Sequence, residues 1–269
     1  MGKRIMVAVI FVPLIILMLF FAPSWVLPVV VSGLAMIALH EVLWSTGFVK
    51  NPKISGLAIV LAGLIPFWVF VGERMLPALV TLFLYVVLLF AVAMKSHYTV
   101  TMEKMGGSFF LSIVIPYFLS TFIRIREMPD WRYYILLPFV VAWLSDAFAL
   151  FAGMAFGKHK LAPLVSPHKT VEGALGGLAG GMAGMAVFCA VFRAMTHAAL
   201  SYSLCIALGL LGAVLGELGD LSFSAVKRQY GIKDYGRLLP GHGGVLDRFD
   251  SVIFAAPVTW MLINAVTLY

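Results

Sequence analysis

Apolar positions along this chain alternate with polar ones at neither two nor 3.6 residues; they run on for about 17 to 25 residues at a time. Short clusters of charge, proline and glycine separate the runs. Each run is long enough for a helix to cross bilayer hydrocarbon, where every backbone N–H and C=O must find its partner within the segment. The dyad alternation of a transmembrane barrel strand is not seen. The pattern predicts nine spans, over residues 5–21, 25–45, 55–72, 76–95, 107–123, 134–156, 173–195, 199–221 and 251–268. Lys3 and Arg4 precede the first run as in a signal peptide. However, Phe20-Phe-Ala-Pro-Ser24 has no small-x-small cleavage site and a second run follows at once, so this run counts as a span. The expected fold is all-α and polytopic, with a polar cavity opening to the cytoplasm. Residues 1–269 read as a single integral membrane domain, in which 1–133 supply helices for packing, dimer or lipid contact and 134–269 carry the polar chemistry.

Composition makes lipid the solvent. With 62% hydrophobic and 12% charged residues and a mean hydropathy of +1.03, a chain of this size has more apolar surface than a soluble interior can hide. A net charge of +7 would suit nucleic acid, but the basic residues lie in short loops between runs, and that class is set aside. Nine spans put the N-terminus and the loops near 46–54, 96–106, 157–172 and 222–250 on one side. That side holds fourteen of the nineteen Lys and Arg residues, against five on the other. The positive-inside rule turns it to the cytoplasm, in the cell inner membrane. Cys189 and Cys205 fall inside apolar runs and read as small packing residues.

Spans one to five carry only His40 and Glu41 as a strongly polar mid-span pair. The second half carries the candidate chemistry. Asp146 lies mid-span, where a carboxylate must face a cavity or a partner, and Ala149, Gly153 and Gly157 share its face and would leave a groove open beside it. A buried ion pair is the plainer reading. Ser166-Pro167 reads as a helix start that puts Lys169 and Thr170 in the first turn, a natural phosphate site or else a solvated basic loop. Gly173, Gly176, Gly177, Gly180, Gly181 and Gly184 form a small-residue stripe, first of all a packing seam. Glu217, Asp220, Ser224 and Lys227 recur at helical spacing, and Asp220 suits a hard cation such as Mg2+, which takes one or two carboxylates plus substrate phosphates. Residues 224–250 crowd Lys227, Arg228, Lys233 and Arg248 with Asp234, Asp247, Asp250 and His242, around the glycine-rich stretch 240–244. Cations suit a polyphosphate, and aspartates three apart can offer oxygens to metal ions.

This last segment resembles the signature of the phosphatidate cytidylyltransferase (CDP-diacylglycerol synthase) family: Ser224-x-apolar-Lys227-Arg228, four residues, Lys233-Asp234, then His242-Gly-Gly-x-x-Asp247-Arg248-x-Asp250. Asp146, Ser166, Pro167, Lys169, Thr170, Glu172 and Gly173 resemble the family's upstream motif. The resemblance implies transfer of a cytidylyl group from CTP to phosphatidate, giving CDP-diacylglycerol and pyrophosphate with Mg2+, a second cation being left open. It assigns metal to Asp220 and Asp247, with Asp250 a ligand or a group orienting Arg248. Lys169, Lys227, Arg228, Lys233 and Arg248 would hold phosphates, His242 would donate to phosphate or brace the loop, and Asp146 and Glu172 would line the cavity. Ser224 and Asp234 complete the motif. The implied partners are CTP, phosphatidate, membrane lipid and a second copy of the chain. A CTP-using polyprenol or phytol kinase is the enzyme alternative. A transporter is the alternative of another class, although no inverted repeat is evident.

Overall fold

A computed structural model describes residues 2–96, 99–196, 200–236, 238 and 243–267. The apolar runs fold as helices. In chain order these are α1 (Gly2–Phe21), α2 (Val26–His40) continued by a π-helical turn (Glu41–Ser45), α3 (Pro52–Phe70), α4 (Met75–Lys95), α5 (Met102–Leu119), the short α6 (Thr121–Glu127) and α7 (Trp131–Tyr134), α8 (Leu137–Phe156), α9 (Val171–Thr196), α10 (Tyr202–Gln229) and α11 (Leu246–Thr267). Among the described residues seven segments are long and apolar enough to cross a membrane: α2 with its π turn, α3, α4, α5 with α6, α7 with α8, α9 and α10. The chain is an integral membrane protein. Leu76, Phe83, Leu84 and Leu88 of α4 stand exposed, as side chains do when lipid is the solvent.

Local signals fix the helix starts. Asn51 caps α3 by accepting the Lys53 N–H at 3.0 Å, with Pro52 in the first helical position. Residues 157–170 depart from expectation. Instead of a helix opening at Ser166, β1 (Lys160–Ala162) pairs antiparallel with β2 (Ser166–Thr170), in the register Lys160 with Thr170 and Ala162 with Ser166. The helix begins one residue past Thr170, whose hydroxyl accepts the Gly173 N–H at 3.0 Å as an N-cap. A Pro-containing segment cannot donate a full ladder, and on a two-stranded hairpin it need not.

The chain forms two compact units, residues 1–124 with 230–248 and residues 125–229 with 249–269. In the second, Leu137, Val141, Met185, Leu204 and Leu208 are packed with Cys189 and Cys205 in one core, and both cysteines are free thiols. The glycine stripe of α9 is the seam of this unit. A Cβ at Gly177 would lie 3.1 Å from the Ser145 carbonyl of α8, and one at Gly181 would lie 2.8 Å from the Gly209 carbonyl of α10. Only small residues allow backbones this close.

Candidate active site

The groove expected beside Asp146 is present in the second unit. It has a volume of about 510 Å³. Asp146, Ala149 and Gly153 of α8 form one wall, His168, Lys169 and Thr170 of β2 another, and Glu217 and Asp220 of α10 a third. Lys169 ties the walls together. Because the hairpin projects it across the groove, its ammonium meets two carboxylates one helical turn apart, Glu217 Oε1 at 2.8 Å and Asp220 Oδ2 at 2.6 Å. Burial disfavours the charged lysine, but Asp220 and Glu217 outweigh it and raise its pKa above the ordinary lysine value. The second oxygen of Asp220 accepts the Ser224 hydroxyl at 3.1 Å, one further turn along α10. Lys227, the next position on that face, is buried. Asp250 on α11 has Asp220, Lys227 and Asp146 as its charged neighbours. Asp146, Lys169, Asp220, Ser224, Lys227 and Asp250 therefore form one electrostatic cluster.

Several other expected residues do not line this groove. Glu172 does not border the groove. It accepts the Lys158 and His159 backbone N–H groups, each at 3.1 Å, and meets the His159 ring at 2.5 Å, fastening the segment after α8 to the start of α9. Arg228 donates from Nε to the Val165 carbonyl at 3.1 Å, so at least one face of its guanidinium supports the hairpin. Lys233, Asp234 and Arg248 are exposed in the first unit. His242 lies outside the described residues.

Within the first unit, the signature loop is shaped by two buried acids. Asp247 Oδ2 accepts the Tyr235 N–H at 2.8 Å and the Gly244 N–H at 2.9 Å, drawing both sides of the loop together. Glu41, in the π turn, accepts the Val245 N–H at 3.0 Å and the Leu246 N–H at 2.9 Å, one on each oxygen. These are donors at the start of α11 that no helical carbonyl can satisfy. The paired glycines follow. Gly243 has φ +84°, a left-handed conformation that disfavours side chains, and a Cβ on Gly244 would collide with the Glu41 carboxylate. Sequence reading noticed Glu41 but gave it no role. The usable signal was that an acid inside a membrane span needs a partner or a function.

Among the described residues no three His, Cys, Asp or Glu side chains make a ready metal cage. The donors are nonetheless of the kind Mg2+ uses. Asp146, Glu217 and Asp220 present hard oxygens to one groove, Mg2+ needs only one or two carboxylates when water and substrate phosphates complete its shell, and the Lys169 ammonium marks a place where positive charge is favoured.

The family model described as the cytidylyltransferase family matches residues 2–266. The phosphatidate cytidylyltransferase of Bacillus subtilis is 34% identical over 241 residues, 87% of each chain. That of Staphylococcus aureus is 34% identical over 246 residues, 88% of this chain and 90% of its own. That of Staphylococcus haemolyticus is 33% identical over 237 residues, 86% of each. With a match along almost its whole length, the chain belongs to the cytidylyltransferase family.

Proposed function

We propose that this membrane nucleotidyltransferase transfers the cytidylyl group of CTP to phosphatidate, forming CDP-diacylglycerol for phospholipid synthesis and releasing pyrophosphate. The observation that carries the reading is the Lys169, Glu217 and Asp220 cluster in a groove with Asp146. Two polyanions must approach each other at one phosphorus, and acids that hold a cation beside lysines that hold phosphates are what such a meeting requires. The phosphate oxygen of phosphatidate, whose second pKa lies near 6, is already anionic and needs little help from a general base. It bonds to the α-phosphorus, the bond from that phosphorus to the bridging oxygen breaks, and the electron pair leaves on pyrophosphate.

Lys169 in the groove and Lys227 beside Asp250 neutralise phosphate charge. Arg228, Lys233 and Arg248 keep the motif's phosphate-binding assignment. Asp220 and Asp250 would hold Mg2+, which supplies charge neutralisation at the transferring phosphoryl group. Asp247 retains the motif's metal-binding assignment, its Oδ2 already oriented by two backbone donors. The family resemblance supports a homodimer, and the charge asymmetry supports a cytoplasmic N-terminus in the inner membrane. Incubation of purified protein with phosphatidate, Mg2+ and CTP labelled in the cytidine or, separately, in the γ-phosphate tests the reaction. Label from cytidine in lipid is the expected result; label from the γ-phosphate alone would make the protein a kinase.

A further inference from the structure

The first unit contains a second groove, of about 500 Å³, which shares no residue with the first and borders Lys50, Lys53, Lys95 and Lys104. Its position follows from three helix ends. The chain arrives at the capped start of α3 with Lys50 and Lys53, α4 ends on Lys95, and Thr101 caps α5 by accepting the Lys104 N–H at 3.4 Å. Among the described residues no acidic side chain borders the groove, and these four ammonium groups form no ion pair with a carboxylate. The positive-inside rule explains lysines on this side of the chain but not their convergence on one concavity, where like charges raise one another's potential. The free N–H groups at the starts of α3 and α5 add to it.

We propose that this groove binds the phosphate headgroup of an anionic membrane lipid. The shared chemistry is a phosphate oxyanion, and lipid is its source for two reasons. The groove is built where spanning helices end, at headgroup depth, and basic pockets between helices at that level suit anionic headgroups. Its wall includes Val92 and Val100 and continues into α4, of which only 11% is buried against protein, leaving an apolar flank for acyl chains. The inference goes beyond the proposed reaction.

The test is native mass spectrometry of protein released from nanodiscs of mixed phosphatidylglycerol and phosphatidylcholine. Wild-type protein is expected to retain phosphatidylglycerol over phosphatidylcholine by about tenfold, less at high salt. The quadruple variant K50A/K53A/K95A/K104A should fall to about twofold or less, while K158A/K160A, which removes as much exposed charge per substitution elsewhere, keeps the wild-type enrichment. D220N should lose turnover and keep the enrichment, which separates failure of this site from failure of the proposed reaction. Wild-type enrichment in a quadruple variant with an unchanged melting temperature would overturn the proposal. So would loss of enrichment in K158A/K160A equal to that in the quadruple variant, or displacement of lipid by millimolar inorganic phosphate.

Discussion

A lysine held by two carboxylates can be a structural ion pair or a loaded cation site, and the two differ in what a neutral substitution does. Asp220 uses both oxygens, one for Lys169 and one for Ser224. Asp220→Asn keeps the shape and removes the charge. If Asp220 holds the cation, several kcal/mol of transition-state stabilisation go with it, and at about 1.4 kcal/mol per factor of ten turnover should fall by roughly a hundredfold or more. The melting temperature in detergent should move by only a few degrees, because Glu217 still faces the ammonium. Turnover near wild type at saturating Mg2+ would remove Asp220 from the site. Lys169 offers a pH test. Its folded pKa is raised above the ordinary 10.5, so its contribution to stability is fully present below that value and is lost as pH rises through the higher folded one. Lys169→Met should therefore melt below wild type from neutral pH up to about 10, and the gap should close above it. A gap that is constant across this range would mean that the charge contributes nothing.

At the scale of elements, the parts legible in sequence were those coded locally. Apolar run length gave the helices, and the glycine stripe of α9 gave the seam against α8 and α10, since a spacing of three and four residues places small side chains on one helix face whatever the rest of the chain does. The hairpin at 160–170 was not legible, because Ser-Pro before an apolar run is as compatible with a strand ending in a Thr cap as with a helix start. The contact between Glu41 and Leu246 spans 205 positions, and no local pattern encodes it. Its consequence is testable. Glu41→Gln replaces one of two acceptor oxygens by an NH2 group facing a buried N–H, at a cost of about 1–3 kcal/mol. A lowered melting temperature is expected, together with a loss of turnover larger than that of Asn51→Ala, which removes an exposed cap of α3 instead. A variant with wild-type melting and turnover would show that the signature loop holds its shape without Glu41.

The whole molecule divides its motif between two compact units, with 230–248 packed among the N-terminal helices and 249–269 in the other unit. Reading along the chain groups both segments with residues 134–229, since sequence order carries no information about which helices a loop returns to. Orientation, in contrast, is written in charge. In the nine-span reading fourteen of nineteen basic residues fall on the side of the N-terminus, including the loops that hold Lys169 and Lys233, and the cost of carrying unpaired cations across hydrocarbon predicts a cytoplasmic location for that side. The reaction needs the same orientation, because CTP is a cytosolic solute. Single cysteines decide it. The native Cys189 and Cys205 are buried, so background labelling by an impermeant maleimide should be low, whereas Lys233 and Glu127 are exposed and lie on opposite sides in the nine-span reading. Lys233→Cys should react only after cells are permeabilised, and Glu127→Cys should react in intact cells. The reverse pattern would place residues 222–250 outside the cytoplasm, where CTP is absent, and would overturn the orientation and the proposed reaction together.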